Sequence, residues 1–369
     1  MKITYISNSS TPSHVPNSLQ IVKTCEYLSK NNHQVTLIVP DTPKSTEKIN
    51  SFYNVKHNFT TIRISRFKKN PRGLNYYFFS TISVFKSLFT CDLVITRNFF
   101  VIFLCTIFFK KCILEIHHDI STESRIVNFI FNYFNILKSN RIKKIIAISK
   151  SIKKHYKKKF KLNSKKIDVL PSGTALKLNY VYPKNKKKKL NIGYFGSINY
   201  SKGIGTILKL ACMDKKNDYF IYGGMKNQIL DIKRKFHFNN LKISSHQNYK
   251  ELPKILSKMD ILLMPYTHTV TAAGNVSDIT KFTSPLKLFD YMAAGKLIMC
   301  SDIPVLKEVI KNKNNCIIVK NFLNPNNWLM EINKIKNNYH LRSIISKNSY
   351  NEVRKYHHNN RVKKYFENI

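Results

Sequence analysis

The sequence has few acidic residues and little glycine. Lys and Arg number 63 against 20 Asp and Glu, so the formal net charge is +43, and the 369 residues include only 10 glycines and one tryptophan. The scarcity of acids argues against a basic partner and favours an anionic one, such as a nucleic acid or a membrane surface. The chain is also rich in Asn and Ile. A compositional bias of the coding sequence therefore explains the lysines equally well.

Paired cysteines and long apolar runs are also absent. The seven cysteines are scattered with no CxxC spacing, which excludes a recognisable zinc site or disulfide framework and fits a reducing cytoplasm. The most apolar run, FFVIFLCTIFF at 99–109, is too short for the roughly 20 residues that span a bilayer. We expect a buried or membrane-facing helix there. The start, MKITYISNSS, resembles a buried first strand and not a signal peptide.

The length and the alternation of strand and helix patterns predict two α/β domains. Runs such as KITYI, QVTLIVP and CILEI alternate with longer helical patterns, as in parallel sheets that are covered on both faces. A second alternation starts at LNIGYFG, after a polar and basic segment at 178–190 that we interpret as a linker. We predict domains at 1–180 and 181–348, and a final charged helix at 349–369 that packs back on the N-terminal domain. A ligand cleft is expected between the two domains.

The stretch SPLKLFDYMAAGK at 284–296 carries the clearest chemical signal. Ser284 is predicted to cap a helix whose first residue is Pro285. The N-terminus of a helix presents unpaired N–H groups and the positive end of its dipole, and it therefore suits phosphate. Lys287 lies in the first turn and Asp290 three residues later, so both are predicted to project from one face. A cation beside phosphate and a carboxylate for ribose hydroxyls together indicate a nucleotide site.

Glycines at other strand ends of the same half support this interpretation. GYFGSINYSKG places Gly196 at a strand end and Lys202 just before a helix. YGG supplies Gly223 and Gly224, and DILLMPY ends at Tyr266. A single glycine pair is weak evidence, but four strand ends of one half are shaped for one ligand.

These residues, in this order, resemble the C-terminal half of the retaining nucleotide-sugar glycosyltransferases of family 4. Further blocks that are similar to this family are KIIAISKSIKKHY, VLPSGT, DLVITRN and ILEIHHD, so the resemblance extends over most of the chain. It implies the α/β GT-B fold, in which two Rossmann-like domains face each other across a cleft. It also implies transfer of a sugar from a UDP- or GDP-sugar to a saccharide or lipid-linked acceptor, as in surface-polysaccharide or lipopolysaccharide synthesis.

The resemblance also implies roles for individual residues. Asp290 would hold the ribose, Lys202 and Lys287 the diphosphate, and His117 would face the reacting sugar, with the adjacent His118 as the alternative. We expect catalysis to depend on His117, Lys202 and Lys287, without a metal or cofactor, because the lysines supply the positive charge and the chain has no Asp-x-Asp pair. The other donor-side candidates are Gly196, Ser197, Gly223, Gly224, Tyr266, Ser284, Pro285 and Leu286. The candidates on the acceptor or sugar side are Ser10, His14, Asn17, Arg97 and His118.

Three positions depart from the family pattern. Phe282 stands where the family often has the first of two acids, Ser197 where many members have an arginine, and Ala175 where an aspartate is usual. Without this arginine, the lysines would have to balance the charge of the diphosphate. The departures leave the identity of the nucleotide and the sugar open.

The segment 141–166 carries twelve Lys or Arg and no acid, interleaved with apolar residues. Such a basic amphipathic helix suits an anionic membrane surface, or it is simply a solvated helix of a lysine-rich chain. We expect a cytoplasmic enzyme that associates peripherally with the inner face of the cell membrane. A sugar-nucleotide epimerase of the same fold and a basic nucleic-acid-binding protein remain alternatives. No recognised nucleic-acid-binding motif is present, so no nucleic-acid partner is expected.

Overall fold

The computed structural model describes residues 1–42, 48–67, 73–178, 188–271 and 278–367. The chain forms two compact units. The first contains Met1–Ser172, Phe282–Ser284 and His358–Ile369, and the second contains Gly173–Lys281 and Pro285–His357. Within the predicted linker 178–190, residues 179–187 lie outside the described residues.

The strands follow the apolar, β-branched runs of the sequence. They are β1 Lys2–Ile6, β2 Gln34–Pro40, β3 Thr60–Ile64, β4 Leu93–Thr96, β5 Cys112–Ile116, β6 Ile142–Ala147, β7 Ile167–Val169, β8 Asn191–Phe195, β9 Asp218–Tyr222, β10 Leu241–Ser244, β11 Ile261–Met264, β12 Leu297–Ser301 and β13 Ile317–Val319. Strands β4, β5, β11 and β12 are buried along their whole length, as expected of strands covered on both faces.

The helices connect these strands. They are α1 Pro16–Lys30, α2 Ile49–Tyr53, α3 Leu74–Leu88, α4 Phe99–Ile107, α5 Arg125–Tyr133, α6 Lys150–Phe160, α7 Ile204–Met213, α8 Lys226–Lys235, α9 Leu252–Ser257, α10 Leu286–Ala293, α11 Pro325–Asn337, α12 Tyr339–Val353 and α13 His358–Lys363. In the described chain, no helix is both long enough and apolar enough to cross a membrane.

Each unit is built on one parallel sheet. In the first unit the described strands have the order β3-β2-β1-β4-β5-β6-β7, and in the second the order β10-β9-β8-β11-β12-β13. The strand order reverses between β1 and β4 and between β8 and β11. Ligands of doubly wound sheets bind at the carboxyl ends of the strands around such a switch point.

The helices of the first unit cover both faces of its sheet. Apolar residues of α3, α4, α5 and α6 pack into one core cluster. Residues of α1 and α2 and the tail residues Val362 and Tyr365 pack into another. The outer surfaces of α3 to α6 therefore belong to one side of the unit.

The predicted α/β class is confirmed, but some elements differ from the sequence-based expectation. The pattern of VLKEVIKNKN at 305–314 predicts a helix, but the chain forms only a 3-10 turn at Pro304–Glu308, and Ile310 is buried in the core. The predicted single helix at 349–369 is also not formed. Helix α12 already begins at Tyr339, and α13 follows after a break that contains a second 3-10 turn, Arg354–Tyr356.

Candidate functional site

The second unit places the ammonium group of Lys287 against two aromatic rings. Its Nζ lies 4.1 Å from the ring centroid of Tyr194 and 5.2 Å from that of Tyr266. This nitrogen is buried and has no hydrogen-bond partner in the described part of the chain. Burial lowers the pKa of Lys287 well below its usual value, and the charge of Lys202 lowers it further. The described residues therefore offer this buried amine no counter-charge.

Lys202 supplies a second ammonium group to the same place. It ends the short 3-10 turn Tyr200–Lys202, and its Nζ donates a hydrogen bond to Ser197 Oγ at 2.9 Å. Burial also lowers the pKa of Lys202. Neither ammonium group forms an ion pair with the residues that the structure describes. Positive charges on two neighbouring amines repel each other, and an anion between them removes that cost.

Glycines allow the backbone to approach this pair of lysines. Gly196 follows β8 with a φ of 150°, and a Cβ there would come within 2.9 Å of the Nζ of Lys287. Gly223 follows β9 with a φ of 141°, and a Cβ there would collide with the carbonyl oxygen of Gly196. A Cβ on Gly224 would instead meet the side chain of Ile198. The two strand-end loops therefore pack backbone to backbone beside Lys287.

Helix α10 begins one residue later than predicted. Pro285 is the N-cap, with an extended backbone, and Leu286 is the first helical residue. The predicted cap by Ser284 is wrong, because its Oγ instead accepts a hydrogen bond from the Ser172 N–H at 2.9 Å. The structure therefore gives Ser284 no contact with the first turn of the helix through its side chain.

Asp290, three residues after Lys287 in α10, is buried. Its carboxyl group is buried and accepts a hydrogen bond from the Thr174 hydroxyl at 2.7 Å. Burial raises the pKa of Asp290 to about 7, and hydrogen bonds from Thr174 and Tyr249 only partly oppose this. Near neutral pH this carboxyl group is therefore partly protonated. Its role toward a ribose stays a prediction.

The raised pKa of Asp290 predicts a pH-dependent effect of Asp290→Asn. The folded pKa lies above the unfolded value of 3.8, so the folded state binds more protons between about pH 4 and 7 and loses stability as the pH rises through this range. Asparagine cannot ionise, so the variant should be more stable than the wild type by about 2–4 kcal/mol at pH 8 and nearly equal to it at about pH 3.5, below the ordinary pKa of an aspartic acid. Urea unfolding at both pH values measures this. An unchanged difference between the two proteins would contradict it.

The first unit contains a buried charged cluster around Glu115, at the end of β5. The Glu115 carboxylate accepts hydrogen bonds from the hydroxyls of Tyr5 and Tyr365, at 2.6 and 2.8 Å, and from Arg97 Nε at 3.1 Å. It also pairs with Arg361 from the C-terminal tail. Burial alone would raise the pKa of Glu115, but Arg97 and Arg361 outweigh it and hold the pKa well below the usual range. Glu115 is therefore a carboxylate at neutral pH.

His117 lies next to this cluster. Its Nε2 is 3.9 Å from Glu115 Oε1, too far for a hydrogen bond, and is buried without a partner among the described residues. Burial, with the charge of Arg97, lowers the pKa of His117 to about 3, so the ring is neutral at physiological pH. His118 instead pairs with Glu123, at 2.8 Å. His117 is thus the histidine that the structure brings to Arg97 and Glu115.

The loop after β1 contributes one of its three predicted residues to this cluster. Asn17 accepts a hydrogen bond from Arg97 through its side-chain oxygen. The ring of His14 instead packs on Phe52 at 5.0 Å, and only the backbone carbonyl of Ser10 is engaged, by the Ser18 hydroxyl at 2.9 Å. Arg97, Asn17 and His117 therefore come together, whereas His14 does not join them.

Some residues of the two clusters are not identified by the sequence reasoning. Tyr194 lies within the motif GYFG, two residues before Gly196, and could have been identified from that position. Thr174 and Arg361 have no local signal, because their partners are 116 and 246 residues away. Within the described chain, no group of three or more His, Cys, Asp or Glu side chains could hold a metal ion.

Comparisons with known proteins agree with this architecture. The family model Glycosyltransferase Family 4 matches residues 19–178, and the model Glycosyl transferases group 1 matches residues 181–352. Among curated proteins, no sequence matches this chain.

Solved structures of other proteins share the fold over the whole chain. Sucrose-phosphate synthase from Thermosynechococcus elongatus is 14% identical with a TM-score of 0.74, and the match covers 99% of this chain and 97% of that one. HepE of Anabaena in complex with UDP is 12% identical with a TM-score of 0.71, covering 100% and 99%. A glycosyltransferase from Rickettsia africae ESF-5 is 16% identical with a TM-score of 0.71, covering 99% and 97%.

The first family model ends at residue 178 and the second begins at residue 181, so together they cover nearly all of residues 19–352. The resemblance predicted from the motifs is thereby confirmed. The chain is a glycosyltransferase that belongs to family 4, with the GT-B fold.

Proposed function

We propose that this protein transfers a sugar from a UDP- or GDP-sugar to a saccharide or lipid-linked acceptor, with retention of the anomeric configuration. The observation that carries the proposal is the convergence of the buried amine of Lys287 and the half-buried amine of Lys202 beside the Gly196 loop. Such a site suits a diphosphate, which carries the opposite charge and many acceptor oxygens. The complex of HepE with UDP, a structure of similar fold, supports a uridine or related nucleotide here.

The proposed reaction breaks the bond between the sugar and the diphosphate. The acceptor hydroxyl attacks the anomeric carbon on the side from which the diphosphate leaves, and a diphosphate oxygen takes the proton of that hydroxyl. Negative charge develops on the leaving diphosphate, and Lys202 and Lys287 are already fixed where that charge is expected. A protein-bound metal is not required for this stabilisation, so we propose a metal-independent enzyme.

The residues of the first unit are proposed to act on the sugar or the acceptor. His117 is neutral at physiological pH, and a neutral imidazole can accept or donate a hydrogen bond to a sugar hydroxyl. Arg97 and Asn17 are held together beside it. We place the enzyme on the inner face of the cell membrane, where it would extend a surface polysaccharide or lipopolysaccharide chain.

A thermal-shift series with sugar nucleotides tests the donor. A ligand that binds only the folded state stabilises it by about 2.7 kcal/mol at 100 times its Kd, which corresponds to roughly 5–10 °C for units of this size. We expect UDP-sugars or GDP-sugars, but not both, to raise the melting temperature to this extent. The same nucleotides should bind equally well in the presence of EDTA.

Two controls keep the result specific. The Lys202→Ala and Lys287→Ala variants should lose the shift, while Lys233→Ala, which changes an exposed lysine of the same unit, should keep it. With the responding donor and a saccharide acceptor, the product should have the anomeric configuration of the donor by NMR. A change of the sugar without an acceptor would indicate an epimerase, and no shift with any sugar nucleotide would overturn the proposal.

A further inference from the structure

The helices on one side of the first unit expose an unusual number of large apolar side chains. Helices α3, α4, α5 and α6 all pack their inner residues into one core cluster, so their outer surfaces share one side. The exposed apolar residues of this side, here called the aromatic ridge, are Phe85, Phe89, Ile107, Phe108, Phe109, Ile126, Phe129, Tyr133 and Phe134. Phe89 is 97% exposed, Phe109 71% and Tyr133 69%. Contiguous apolar surface of this kind marks an interaction site.

The ridge consists of two groups of neighbouring rings, one where α3 and α4 meet and one along α5. The rings of Phe85 and Phe108, at the C-terminal ends of α3 and α4, lie 5.1 Å apart. Tyr133 stacks on Phe129 at 5.5 Å and touches Phe134 at 5.0 Å. In a parallel sheet the connecting helices run opposite to the strands, so these helix ends share the edge at which the strands begin. Arg97 and His117 follow strand carboxyl ends and lie at the other edge.

A face of lysines follows the ridge on the same side. Lys150, Lys153, Lys154, Lys157 and Lys158 of α6 line one open surface groove, here called the lysine face. The opposite face of α6 is apolar and buried through Ile152, Tyr156 and Phe160. Like charges at spacings of three and four residues destabilise a helix. Lys153 and Lys157 donate hydrogen bonds to Ser164, but these bonds do not explain why Lys154 and Lys158 lie beside them.

The segment around α6 contains fewer acidic residues than the composition of the whole chain would give. Residues 124–167 contain fourteen Lys or Arg and no Asp or Glu. At the ratio of the whole sequence, 63 to 20, about four acids would accompany them. The basic helices α8, α11 and α12 of the second unit each contain an acid. The charge of the lysine face is therefore a local feature.

We propose that the aromatic ridge and the lysine face together dock on an anionic lipid bilayer. Ammonium groups attract phosphate headgroups, while aromatic side chains enter the boundary between headgroups and acyl chains. A nucleic acid would use the lysines but leave the ridge in water, and a second copy of this chain would bring lysine faces of equal sign together. The inference rests on the proposed function through the lipid-linked acceptor, which would be supplied at that surface.

Vesicle sedimentation with the full-length protein and no nucleotide tests the inference. Vesicles of phosphatidylcholine with phosphatidylglycerol should bind the protein, and vesicles of phosphatidylcholine alone should bind it far more weakly. Each lysine near an anionic surface contributes roughly fivefold to partitioning. Replacing the five lysines of the lysine face with glutamine should therefore weaken binding at least about 100-fold. The matched control replaces five exposed lysines of the second unit, Lys226, Lys233, Lys235, Lys311 and Lys313, and should bind nearly as well as the wild type.

The aromatic ridge is tested separately, because electrostatic attraction alone would bind the protein to anionic vesicles without it. Phe89→Ser, Phe109→Ser and Phe129→Ser together should weaken binding about tenfold or more. The control changes Leu230→Ser, Leu323→Ser and Met330→Ser, at positions of the second unit that are about half exposed, should not. In Phe129→Trp the new indole should shift its emission to the blue on anionic vesicles and be quenched by brominated lipid. Trp328 is fully buried and gives a constant background.

The proposal is overturned if the control lysine variant loses as much binding as the lysine-face variant. It is also overturned if the Phe129→Trp emission does not change on vesicles, or if the ridge variants lower self-association in sedimentation and leave vesicle binding intact. If an oligonucleotide instead displaced the vesicles, with an affinity that depended on salt and was unchanged in the ridge variants, that result would indicate a nucleic-acid site. Donor binding is measured separately by the thermal shift. A failure of vesicle binding would therefore leave the proposed reaction untouched, and a failure of donor binding would leave the membrane proposal untouched.

Discussion

Lys287→Met is expected to lower kcat/KM by about 1000-fold and to stabilise the protein. Removing one fixed group that stabilises developing charge typically costs a factor of 100 to 1000. Among the described residues, no other cationic side chain lies over the ring of Tyr194 to replace Lys287. Its buried ammonium group has no partner within the described residues, and an uncompensated buried charge is unfavourable. We therefore expect the free energy of unfolding to rise by about 1–3 kcal/mol. Steady-state kinetics and urea unfolding measure the two effects.

Proton uptake provides an independent measure of the same interaction. The pKa of Lys287 is lowered in the free protein, and a bound diphosphate raises it again by supplying the opposite charge. Nucleotide binding above neutral pH should therefore take up protons, and the affinity should fall as the pH rises. Calorimetry of UDP or GDP binding in buffers of different ionisation enthalpy detects this. The uptake should disappear in Lys287→Met.

Lys202→Met serves as the comparison. Lys202 donates to Ser197, so its loss should also weaken nucleotide binding, but with less gain in stability than for Lys287. Because the charge of Lys202 lowers the pKa of Lys287, the two substitutions should not be additive. A fully active Lys287→Met enzyme, or one that is inactive only because it is less stable, would contradict the assignment.

Glu115→Gln is expected to destabilise the protein by about 3–5 kcal/mol. The substitution leaves the charges of Arg97 and Arg361 buried without their carboxylate, and removing one partner of a buried ion pair costs about this much. Arg361→Met should have an effect of similar size, because Arg361 is 2% exposed in its side chain and also donates from Nε to the Pro171 carbonyl at 3.0 Å. Calorimetric or urea unfolding measures both variants.

Arg361→Lys and the double variant separate charge from geometry. Lysine keeps the positive charge but cannot reach Glu115 and Pro171 with one planar group, so we expect an intermediate loss. The double variant Glu115→Gln with Arg361→Met should lose clearly less than the sum of the single losses. A Glu115→Gln protein within about 1 kcal/mol of the wild type would show that the cluster does not stabilise the unit.

The pH dependence of this cluster has a defined sign. The pKa of Glu115 is lowered in the folded protein, so its contribution to stability is present above the ordinary pKa of a glutamate and is lost as the pH falls through the folded value. The difference between the wild type and Glu115→Gln should therefore shrink in acid. This is the opposite direction to the effect expected for Asp290.

The sequence was sufficient for the parallel sheets and for placing Lys202 and Lys287 in the same half of the chain. Continuous apolar runs such as ILLM and CILEI indicate strands covered on both faces, and they form β11 and β5. The strand TTIRI at β3 is less apolar and lies nearer the sheet edge, so its pattern is weaker. Lys202 and Lys287 could be placed in one half of the chain because each lies beside a glycine or helix start of recognisable form.

Tertiary contacts decided what the sequence could not. Ser284 has the chemistry of an N-cap, but the Ser172 N–H competes for its hydroxyl group. Asp290 lies on the helix face that its spacing indicates, yet neighbouring elements bury it against Thr174. The ion pair between Glu115 and Arg361 joins residues 246 positions apart, and no local pattern indicates such a partner.

The pairing of Glu115 with Arg361 also has a consequence for synthesis on the ribosome. The sheet of the first unit is translated before the second unit, but the guanidinium group that balances its central carboxylate belongs to Arg361, which follows the second unit in the chain. The core of the first unit is therefore completed only after the whole second unit has been synthesised, and products that terminate before Arg361 will carry an unfinished core that proteases can recognise.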